Sequence, residues 1–307
     1  MISVVIPAFE EAEAIGAIVK ELHTELRATA HEIVVIDDGS QDATGALAHT
    51  AGARVIRHPH NLGYGAALKT GIKAAHFDTI VITDADGTYP TEALPELLRK
   101  YETGFDMVVG ARTGAHYRES ALKSPLRLIL KWLVEFTTGR KIPDINCGLR
   151  VFSRETVIPY FDRLCNTFSF TTSLTLAYMM TGKFVTYLPI SYRQRVGKTK
   201  VRLFRDSLRT LQYIVQAILY YNPLKIFLLL CGAILLFFAI CTLAALIWRL
   251  QSAFYLALGS VFLAVQVFCL GLLAELLKQI MTVTKAEPAV DTNERTATAA
   301  VTTKVNG

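Results

Sequence analysis

The sequence predicts an α/β domain built on a mostly parallel sheet, followed by two helices that cross a membrane. Over residues 1–200, short β-branched apolar runs alternate with segments of helical periodicity, the pattern of a parallel sheet with helices on both faces. Two of these runs end in closely spaced acids and a glycine. Farther along, two long stretches carry no formal charge, which favours membrane-spanning helices.

Each strand is predicted where β-branched residues cluster and then stop at a turn residue, and each helix where apolar residues recur at helical spacing. The strands fall at 3–7, 32–36, 54–56, 80–82, 106–110 and 184–189, and the first four helices at 10–27, 43–51, 61–75 and 92–101. The carboxyl ends of parallel strands border one ligand-binding crevice. We therefore expect the residues at three strand ends, Pro7, Asp37 with Asp38, and Asp84 with Asp86, to meet there.

The segment Asp84-Ala85-Asp86 follows one of these strands directly. Two carboxylates one residue apart can share a divalent cation, and Mg²⁺ held in this way keeps water and substrate phosphates as its other ligands. Asp and Gly are also common turn residues, so a solvated turn is the alternative. Both interpretations stay open at this point.

Composition narrows the class of protein. The 307 residues suggest one or two domains, and a hydrophobic share of 52% is high for a soluble protein. The five cysteines show no paired metal-binding spacing, which indicates buried thiols in a reducing compartment. The apolar run at residues 2–7 is too short for a signal peptide.

Two basic segments follow the first five strands. Residues 126–134 form an amphipathic helix with a tryptophan, which predicts either an interfacial membrane helix or an ordinary surface helix. Between Arg193 and Arg209 lie seven basic residues and one acid, and Gly197 with its lysine neighbours can wrap a phosphate. Nucleic acid is the rival ligand, but the segment has no interleaved aromatic platform, so we expect no nucleic-acid partner.

The uncharged stretches at 226–248 and 250–274 contain 23 and 25 residues, more than the roughly 20 needed to cross a bilayer. A buried hairpin of a soluble protein is the alternative. Basic flanks at Lys225, Lys278 and Lys285 place both chain ends in the cytoplasm. The predicted organisation is an α/β domain at 1–200, a juxtamembrane amphipathic helix at 201–222, membrane helices at about 224–248 and 253–277 within 223–281, and a disordered cytoplasmic tail at 282–307.

Four motifs together resemble the inverting GT-A glycosyltransferases of family 2. They are Val5-Ile-Pro-Ala-Phe-Glu-Glu11, Val35-Ile-Asp-Asp-Gly-Ser40, Asn61-Leu-Gly-Tyr-Gly65 and Asp84-Ala-Asp86. More narrowly, residues 1–225 are similar to the polyprenyl-phosphate sugar synthases, which include dolichol-phosphate mannose synthases and undecaprenyl-phosphate glucosyltransferases. The resemblance implies metal-dependent transfer, with Mg²⁺ or Mn²⁺, of a sugar from a UDP- or GDP-linked donor to a polyprenyl phosphate. It also implies the plasma membrane of a bacterium or archaeon.

The resemblance also implies roles for particular residues. Pro7, Phe9 and Glu11 would line the base and ribose pocket, although core packing is the alternative for Phe9. Asp37 and Asp38 would bind the base or ribose. The implied set is completed by the donor-site residues Lys69, Asp84 and Ala85, the catalytic residues Arg112, Asp86 and Asp144, the metal ligands Asp84 and Asp86, and the phosphate-binding residues Arg193, Arg195, Lys198 and Lys200.

The chain departs from the family pattern at three places. Glu10 stands where members usually have Asn, and Thr88 where many mannose synthases have Gln, which leaves the third metal ligand and the donor sugar open. Residues 171–173 offer only hydroxyls where many relatives carry an acid, so no general base is assigned there.

A phosphate acceptor would not need a general base at residues 171–173. A sugar hydroxyl must lose a proton to a positioned carboxylate, whereas a phosphomonoester with a second pKa near 6 is already mostly dianionic at neutral pH. Two alternatives are a processive polysaccharide synthase, which the missing Gln-x-x-Arg-Trp motif disfavours, and a membrane-anchored nucleotide-sugar-binding protein without turnover. Self-association as a homo-oligomer is left open.

Overall fold

A computed structural model describes residues 1–114, 125–193 and 203–286 of the chain. The chain divides into two compact units, residues 1–217 and residues 218–307. The first unit holds the α/β domain and most of the amphipathic helix that follows it. The second begins within the last turn of that helix and contains the apolar hairpin.

Within the described residues, seven strands form one sheet in the order β3-β2-β1-β4-β6-β5-β7. Only β6 runs antiparallel to its neighbours, and the other neighbouring pairs are parallel. The predicted α/β fold with a mostly parallel sheet is therefore confirmed. The strands are β1 (Ile2–Ala8), β2 (His31–Asp37), β3 (Arg54–Arg57), β4 (Thr79–Ile82), β5 (Met107–Thr113), β6 (Arg150–Ser153) and β7 (Val185–Ser191).

The central strand β1 is buried along its whole length, as expected for a parallel strand that is covered on both faces. Its residue Val5 pairs with Val34 on one side and with Ile82 on the other. This register aligns the carboxyl ends of β1, β2 and β4. Three of the predicted site segments begin at those ends.

Helices cover the sheet. In the first unit they are α1 (Ile15–Glu25), α2 (Thr44–Thr50), α3 (Tyr64–Ala74), α4 (Leu94–Glu102), α5 (Pro125–Thr138), α6 (Arg154–Val157), α7 (Phe170–Met180) and α8 (Leu203–Tyr221). Helix α3 packs closely on the sheet because its Gly71 has no side chain. A Cβ at that position would clash with Val5 and crowd Ile36.

Three elements were not predicted from the sequence: the short helix α6, helix α7 and strand β6. Helix α7 is buried from Phe170 to Met179, so it lacks the polar face that produces a helical pattern. Strand β6 has only four residues, and its antiparallel direction depends on partners far away in the chain.

The second unit contains two long helices, α9 (Pro223–Trp248) and α10 (Gln251–Ala286), which pack against each other as a hairpin. A Cβ at Gly271 would lie 2.7 Å from Phe227 Cβ, so this glycine permits close packing. Among the described residues, both helices are long and apolar enough to cross a membrane. Helix α10 continues to Ala286, beyond the predicted limit at 277, and residues 287–307 of the predicted tail lie outside the described residues.

Candidate active site

The structure brings three predicted site segments to one edge of the sheet. Ala8 at the end of β1 pairs with Asp37, and its carbonyl oxygen accepts a hydrogen bond from Asp38 N at 2.8 Å. On the other side of β1, Thr83 N donates to the carbonyl oxygen of Val5 at 3.3 Å. The residues that follow β1, β2 and β4 are therefore neighbours, as the parallel arrangement predicts.

Asp38 is buried and binds the turn that leads into α3. Its Oδ1 accepts a hydrogen bond from Leu62 N at 3.0 Å and lies 2.7 Å from His58 Nδ1, while its Oδ2 accepts one from Gly63 N at 2.8 Å. Thr70 Oγ1 lies 3.0 Å from the other ring nitrogen of His58. In this structure, Asp38 holds together three segments of the fold.

Asp37 is also buried and shapes the turn after β2. Its Oδ1 accepts a hydrogen bond from Ser40 N at 2.9 Å, and its Oδ2 lies 3.5 Å from Arg57 Nε. A Cβ at Gly45 would come within 2.7 Å of the same Oδ2, so α2 approaches the carboxylate closely. The predicted contacts of Asp37 and Asp38 with a base or ribose stay predictions.

The segment after β1 is tied to this turn. Glu10 N donates to Ser40 Oγ at 2.9 Å, and Glu11 N donates to Thr44 Oγ1 at 2.8 Å. Glu10 has a positive φ of 51°, a backbone conformation that Asn tolerates better than Glu. The strained backbone lies at the position where the family resemblance implies Asn. Pro7 is buried in β1 and Phe9 is half-buried just beyond it, and their pocket roles stay predictions.

Asp84 lies between two parts of the fold. Its Oδ1 accepts a 2.8 Å hydrogen bond from the hydroxyl of Tyr64, the first residue of α3. A Cβ at Gly148 would lie 2.8 Å from the same oxygen. Burial, and next the negative charge of Asp84, raise the pKa of Tyr64 well above its usual value, so the phenol is a hydrogen-bond donor at neutral pH.

Asp86 is held by a residue at which the chain departs from its relatives. Both the backbone nitrogen and the hydroxyl of Thr88 donate to Asp86 Oδ1, at 3.1 and 2.6 Å. Thr88 is buried and so is Ala85 between the two acids. Thr88 therefore orients the second carboxylate of the pair.

The two acids suit a hard divalent cation, since they present carboxylate oxygens from one short segment. Within the described ranges, no group of three or more His, Cys, Asp or Glu side chains is arranged to hold a metal ion. A cation here would thus take Asp84 and Asp86 from the protein and its other ligands from phosphate and water. The donor set fits Mg²⁺ or Mn²⁺ bound together with a diphosphate.

Arg112 and Asp144 form a bidentate ion pair. Arg112 Nε donates to Asp144 Oδ2 at 2.6 Å and Nη2 donates to Oδ1 at 2.9 Å, while the backbone nitrogens of Arg112 and Asn146 add two longer bonds. The guanidinium group also lies 5.4 Å from the ring centroid of Tyr192. Two predicted catalytic residues therefore meet, and each fixes the orientation of the other.

Arg150, which the sequence did not single out, is fully buried beneath the Asp144 segment. It donates to the carbonyl oxygens of Cys147 and Ile145 at 2.7 and 2.8 Å and to Thr175 Oγ1 at 2.7 Å. Burial lowers the pKa of Arg150 and raises that of the Cys147 thiol to about 12, so this thiol is protonated and unreactive. Thr175 belongs to α7, so the hydroxyls of that helix help to hold the segment.

Of the remaining basic side chains that were predicted for the site, the structure describes two, Arg193 and Lys69. Arg193 Nη2 donates to Glu92 Oε2 at 2.6 Å and Nη1 lies 3.5 Å from Glu21 Oε2, while its backbone nitrogen donates to the carbonyl oxygen of Thr88. Lys69 Nζ donates to the Leu164 carbonyl oxygen and to Asn166 Oδ1, both at 2.6 Å, and so binds the loop before α7. Arg195, Lys198 and Lys200 lie outside the described residues.

Sequence reasoning missed Tyr64 and Arg150 as parts of this site. Tyr64 lies inside the quoted Asn61–Gly65 motif, so the motif marked the region but not the residue that reaches Asp84. A charged residue inside an apolar run, as in Leu149-Arg150-Val151-Phe152, was the available signal for Arg150, because an arginine is buried only with partners.

Parallel strand ends that meet at paired acids form a crevice in which a ligand and a divalent cation can bind together. The chain belongs to the family described as Glycosyl transferase family 2, whose sequence model matches residues 3–161. The protein is thus a family 2 glycosyltransferase, which confirms the predicted family and enzyme class.

Two curated relatives are similar over much of the chain. The undecaprenyl-phosphate 4-deoxy-4-formamido-L-arabinose transferase of Salmonella choleraesuis is 29% identical over 94% of this chain and 91% of its own. The dolichyl-phosphate hexose transferase of Haloferax volcanii is 32% identical over 66% of this chain and 87% of its own. Both names match the predicted polyprenyl-phosphate type.

Solved structures confirm the fold. Glucosyl-3-phosphoglycerate synthase from Mycobacterium tuberculosis, solved with Mn²⁺, uridine diphosphate and phosphoglyceric acid, superposes with a TM-score of 0.59. It is 21% identical, and the match covers 71% of this chain and 78% of the other.

Proposed function

We propose that this glycosyltransferase moves a sugar from a nucleotide sugar to the phosphate of a membrane polyprenyl phosphate. The product is a polyprenyl-phosphate monosaccharide with inverted configuration at the anomeric carbon. The observation that carries this proposal is the Arg112–Asp144 pair, in which Asp144 accepts two hydrogen bonds from one guanidinium group.

That pairing bears on the acceptor because a general base must take a proton. Asp144 is the acid that the resemblance puts at the reacting centre, and a bidentate arginine donates to both of its oxygens. A carboxylate held in this way is poorly suited to proton abstraction. A phosphate acceptor avoids the difficulty because it arrives mostly ionised at neutral pH.

The donor half of the site is proposed at Asp84 and Asp86. When bound there, Mg²⁺ or Mn²⁺ would stabilise the negative charge that grows on the departing nucleoside diphosphate. The protein orients both carboxylates through hydroxyl groups, that of Tyr64 at 2.8 Å from Asp84 and that of Thr88 at 2.6 Å from Asp86. The turns after β1 and β2 would bind the nucleobase of the donor. The structural relative solved with Mn²⁺ and uridine diphosphate is compatible with this division.

The acceptor half is proposed at Arg112 and at the basic segment that begins at Arg193. Arg193 N binds the carbonyl oxygen of Thr88, so this segment starts beside the metal-binding loop. The Arg193 side chain also contacts Glu92 and Glu21, and the other proposed phosphate contacts are Arg195, Lys198 and Lys200, which lie outside the described residues.

A membrane location supports this acceptor. The hairpin of α9 and α10 exposes large apolar side chains such as Leu236 and Phe262, which are 64% and 68% exposed and suit a lipid environment. With Lys225 in the first turn of α9 and Lys278 in the last third of α10, the proposed orientation places the α/β unit and both termini in the cytoplasm.

The test uses membranes that contain the full chain, a panel of labelled UDP- and GDP-sugars, and Mg²⁺ or Mn²⁺. We expect one donor to give an acid-labile product that is extracted into organic solvent when undecaprenyl or dolichyl phosphate is added. The matched control is the corresponding polyprenol without phosphate, which should give no product. Equal transfer to the free alcohol would overturn the proposal.

A further inference from the structure

The carboxylate of Asp84 is confined by two residues that the proposed reaction does not use. The hydroxyl of Tyr64 donates to its Oδ1 at 2.8 Å. Gly148 also lies against this carboxylate, because an added Cβ would lie 2.8 Å from Oδ1 and 3.0 Å from both Cγ and Oδ2. The two contacts come from different parts of the chain.

Tyr64 is itself firmly placed. The turn before it is bound by Asp38, whose carboxylate accepts hydrogen bonds from Leu62 N and Gly63 N. Its ring stacks on Phe168, with centroids 5.6 Å apart and planes 21° from parallel. A hydroxyl held by its own turn and by a ring neighbour can fix the position of the carboxylate that it contacts.

Gly148 is also held in place by hydrogen bonds. Its backbone nitrogen donates to the hydroxyl of Tyr89 at 2.7 Å, and Tyr89 is buried. The preceding residue is held by Arg150, whose Nε donates to the Cys147 carbonyl oxygen at 2.7 Å. These hydrogen bonds hold the backbone at Gly148 in place, and the absence of a side chain there leaves the space that Asp84 occupies.

We propose that Tyr64 is a positioning residue for the metal ligand Asp84, and that Gly148 completes the clamp by excluding other positions of the carboxylate. This inference rests on the proposed metal site. Hydrogen bonds to a ligating carboxylate orient it, and their loss typically lowers metal affinity by about 10–100-fold. The clamp is expected to act on the affinity for the cation and to leave the later chemistry to other residues.

The experiment measures Mn²⁺ binding to the detergent-solubilised full chain by the loss of the free-ion EPR signal, with UDP and GDP in separate titrations. The same nucleotide without protein supplies the baseline. Tyr64→Phe keeps the ring and its stacking but removes the hydroxyl, and it should raise the Mn²⁺ dissociation constant about tenfold. Gly148→Ala, which pushes on the carboxylate, should weaken binding at least as much.

Tyr160→Phe is the matched control, because its hydroxyl bonds to Thr181 at 2.9 Å, outside the site. It should bind Mn²⁺ as the wild type does. Turnover of Tyr64→Phe should recover at saturating Mn²⁺, which a general structural defect would not allow. Wild-type affinity in Tyr64→Phe would overturn the inference.

Asp84→Asn separates this outcome from failure of the metal site as such. If Asp84→Asn loses Mn²⁺ while Tyr64→Phe keeps it, the metal site stands and the clamp is wrong. If Asp84→Asn binds Mn²⁺ as tightly as the wild type, the metal assignment fails and the clamp fails with it.

Discussion

Two pairs of acids stand at the carboxyl ends of β2 and β4, the strands on either side of β1, and the fold uses them differently. Asp37 and Asp38, after β2, bind backbone amides and face the basic side chains Arg57 and His58. The pair after β4 accepts hydrogen bonds from hydroxyls: Tyr64 donates to Asp84, and Thr88 donates to Asp86 both through its hydroxyl and through its backbone nitrogen.

The nature of the partner determines what a carboxylate can still do. Backbone amides and basic groups satisfy an acid within the fold, so the first pair mainly shapes turns. A hydroxyl is neutral, so it orients an acid without cancelling its charge. The same sequence pattern, an apolar strand followed by acids and glycine, thus yields one structural pair and one pair that is suited to a cation.

Asp86→Asn tests the second pair and should have the largest effect. The substitution keeps the shape and the bonds from Thr88 but removes the charge that would hold the cation, so transfer should fall about 1,000-fold or more. Initial rates in membranes at fixed expression measure this, and the thermal midpoint should stay within experimental error of the wild type. The exposed Asp162→Asn is the control, and it should be fully active. Normal turnover in Asp86→Asn would refute the metal assignment.

Asp38→Asn tests the first pair, where stability should change instead. An amide at this position offers a donor where Leu62 N and Gly63 N already donate, and it removes the charge next to His58. Breaking such a buried network should cost about 3 kcal/mol and lower the thermal midpoint by about 6–12 °C. The midpoint is measured in detergent on the full chain.

An unchanged thermal midpoint in Asp38→Asn would contradict the structural role that the comparison gives to the first pair. If Asp38→Asn is as stable as the wild type but binds the nucleotide donor more weakly, then Asp38 serves the base or ribose as the family resemblance implies. Asp86→Asn serves as the control here, since it alters a carboxylate of the other pair without this loss of stability.

The sequence predicted most of this sheet, because β-branched runs and helical spacing are local signals. It also predicted that the acids would gather at one edge, since parallel strands share their carboxyl ends. It did not distinguish the two pairs, because their partners come from elsewhere: His58 for Asp38, and Tyr64 for Asp84. His58 reaches Asp38 from the end of β3, which pairs with β2, and Tyr64 reaches Asp84 from the first turn of α3, so both contacts depend on tertiary packing.

The fully buried Arg150 shows the same limit. Its partners are two carbonyl oxygens of the preceding loop and one hydroxyl of α7, a helix with no polar face to reveal it. A motif can mark the Asp144 segment, but the guanidinium group that supports it depends on tertiary contacts. Residues that hold functional groups in place are therefore the part of this site that the sequence hides best.

Glu10→Asn gives the smallest expected effect and sharpens the account of the first pair. Glu10 adopts a φ of 51° while its nitrogen bonds Ser40 Oγ, and Ser40 N in turn bonds Asp37. A left-handed backbone costs an ordinary residue about 1–2 kcal/mol, and Asn bears less of that cost. The variant should gain about 0.5–1 kcal/mol and a few degrees in thermal midpoint.

Glu10→Ala is the matched control because it removes the carboxylate but keeps the strained backbone of an ordinary residue. If strain dominates, Asn stabilises the chain and Ala does not. If both variants lose stability, contacts of the Glu10 carboxylate outweigh the strain, and the turn shaped by Asp37 then depends on this side chain. In either case the change should appear in the thermal midpoint and leave Mn²⁺ affinity unaltered, because Glu10 is bonded to the turn of the first acid pair.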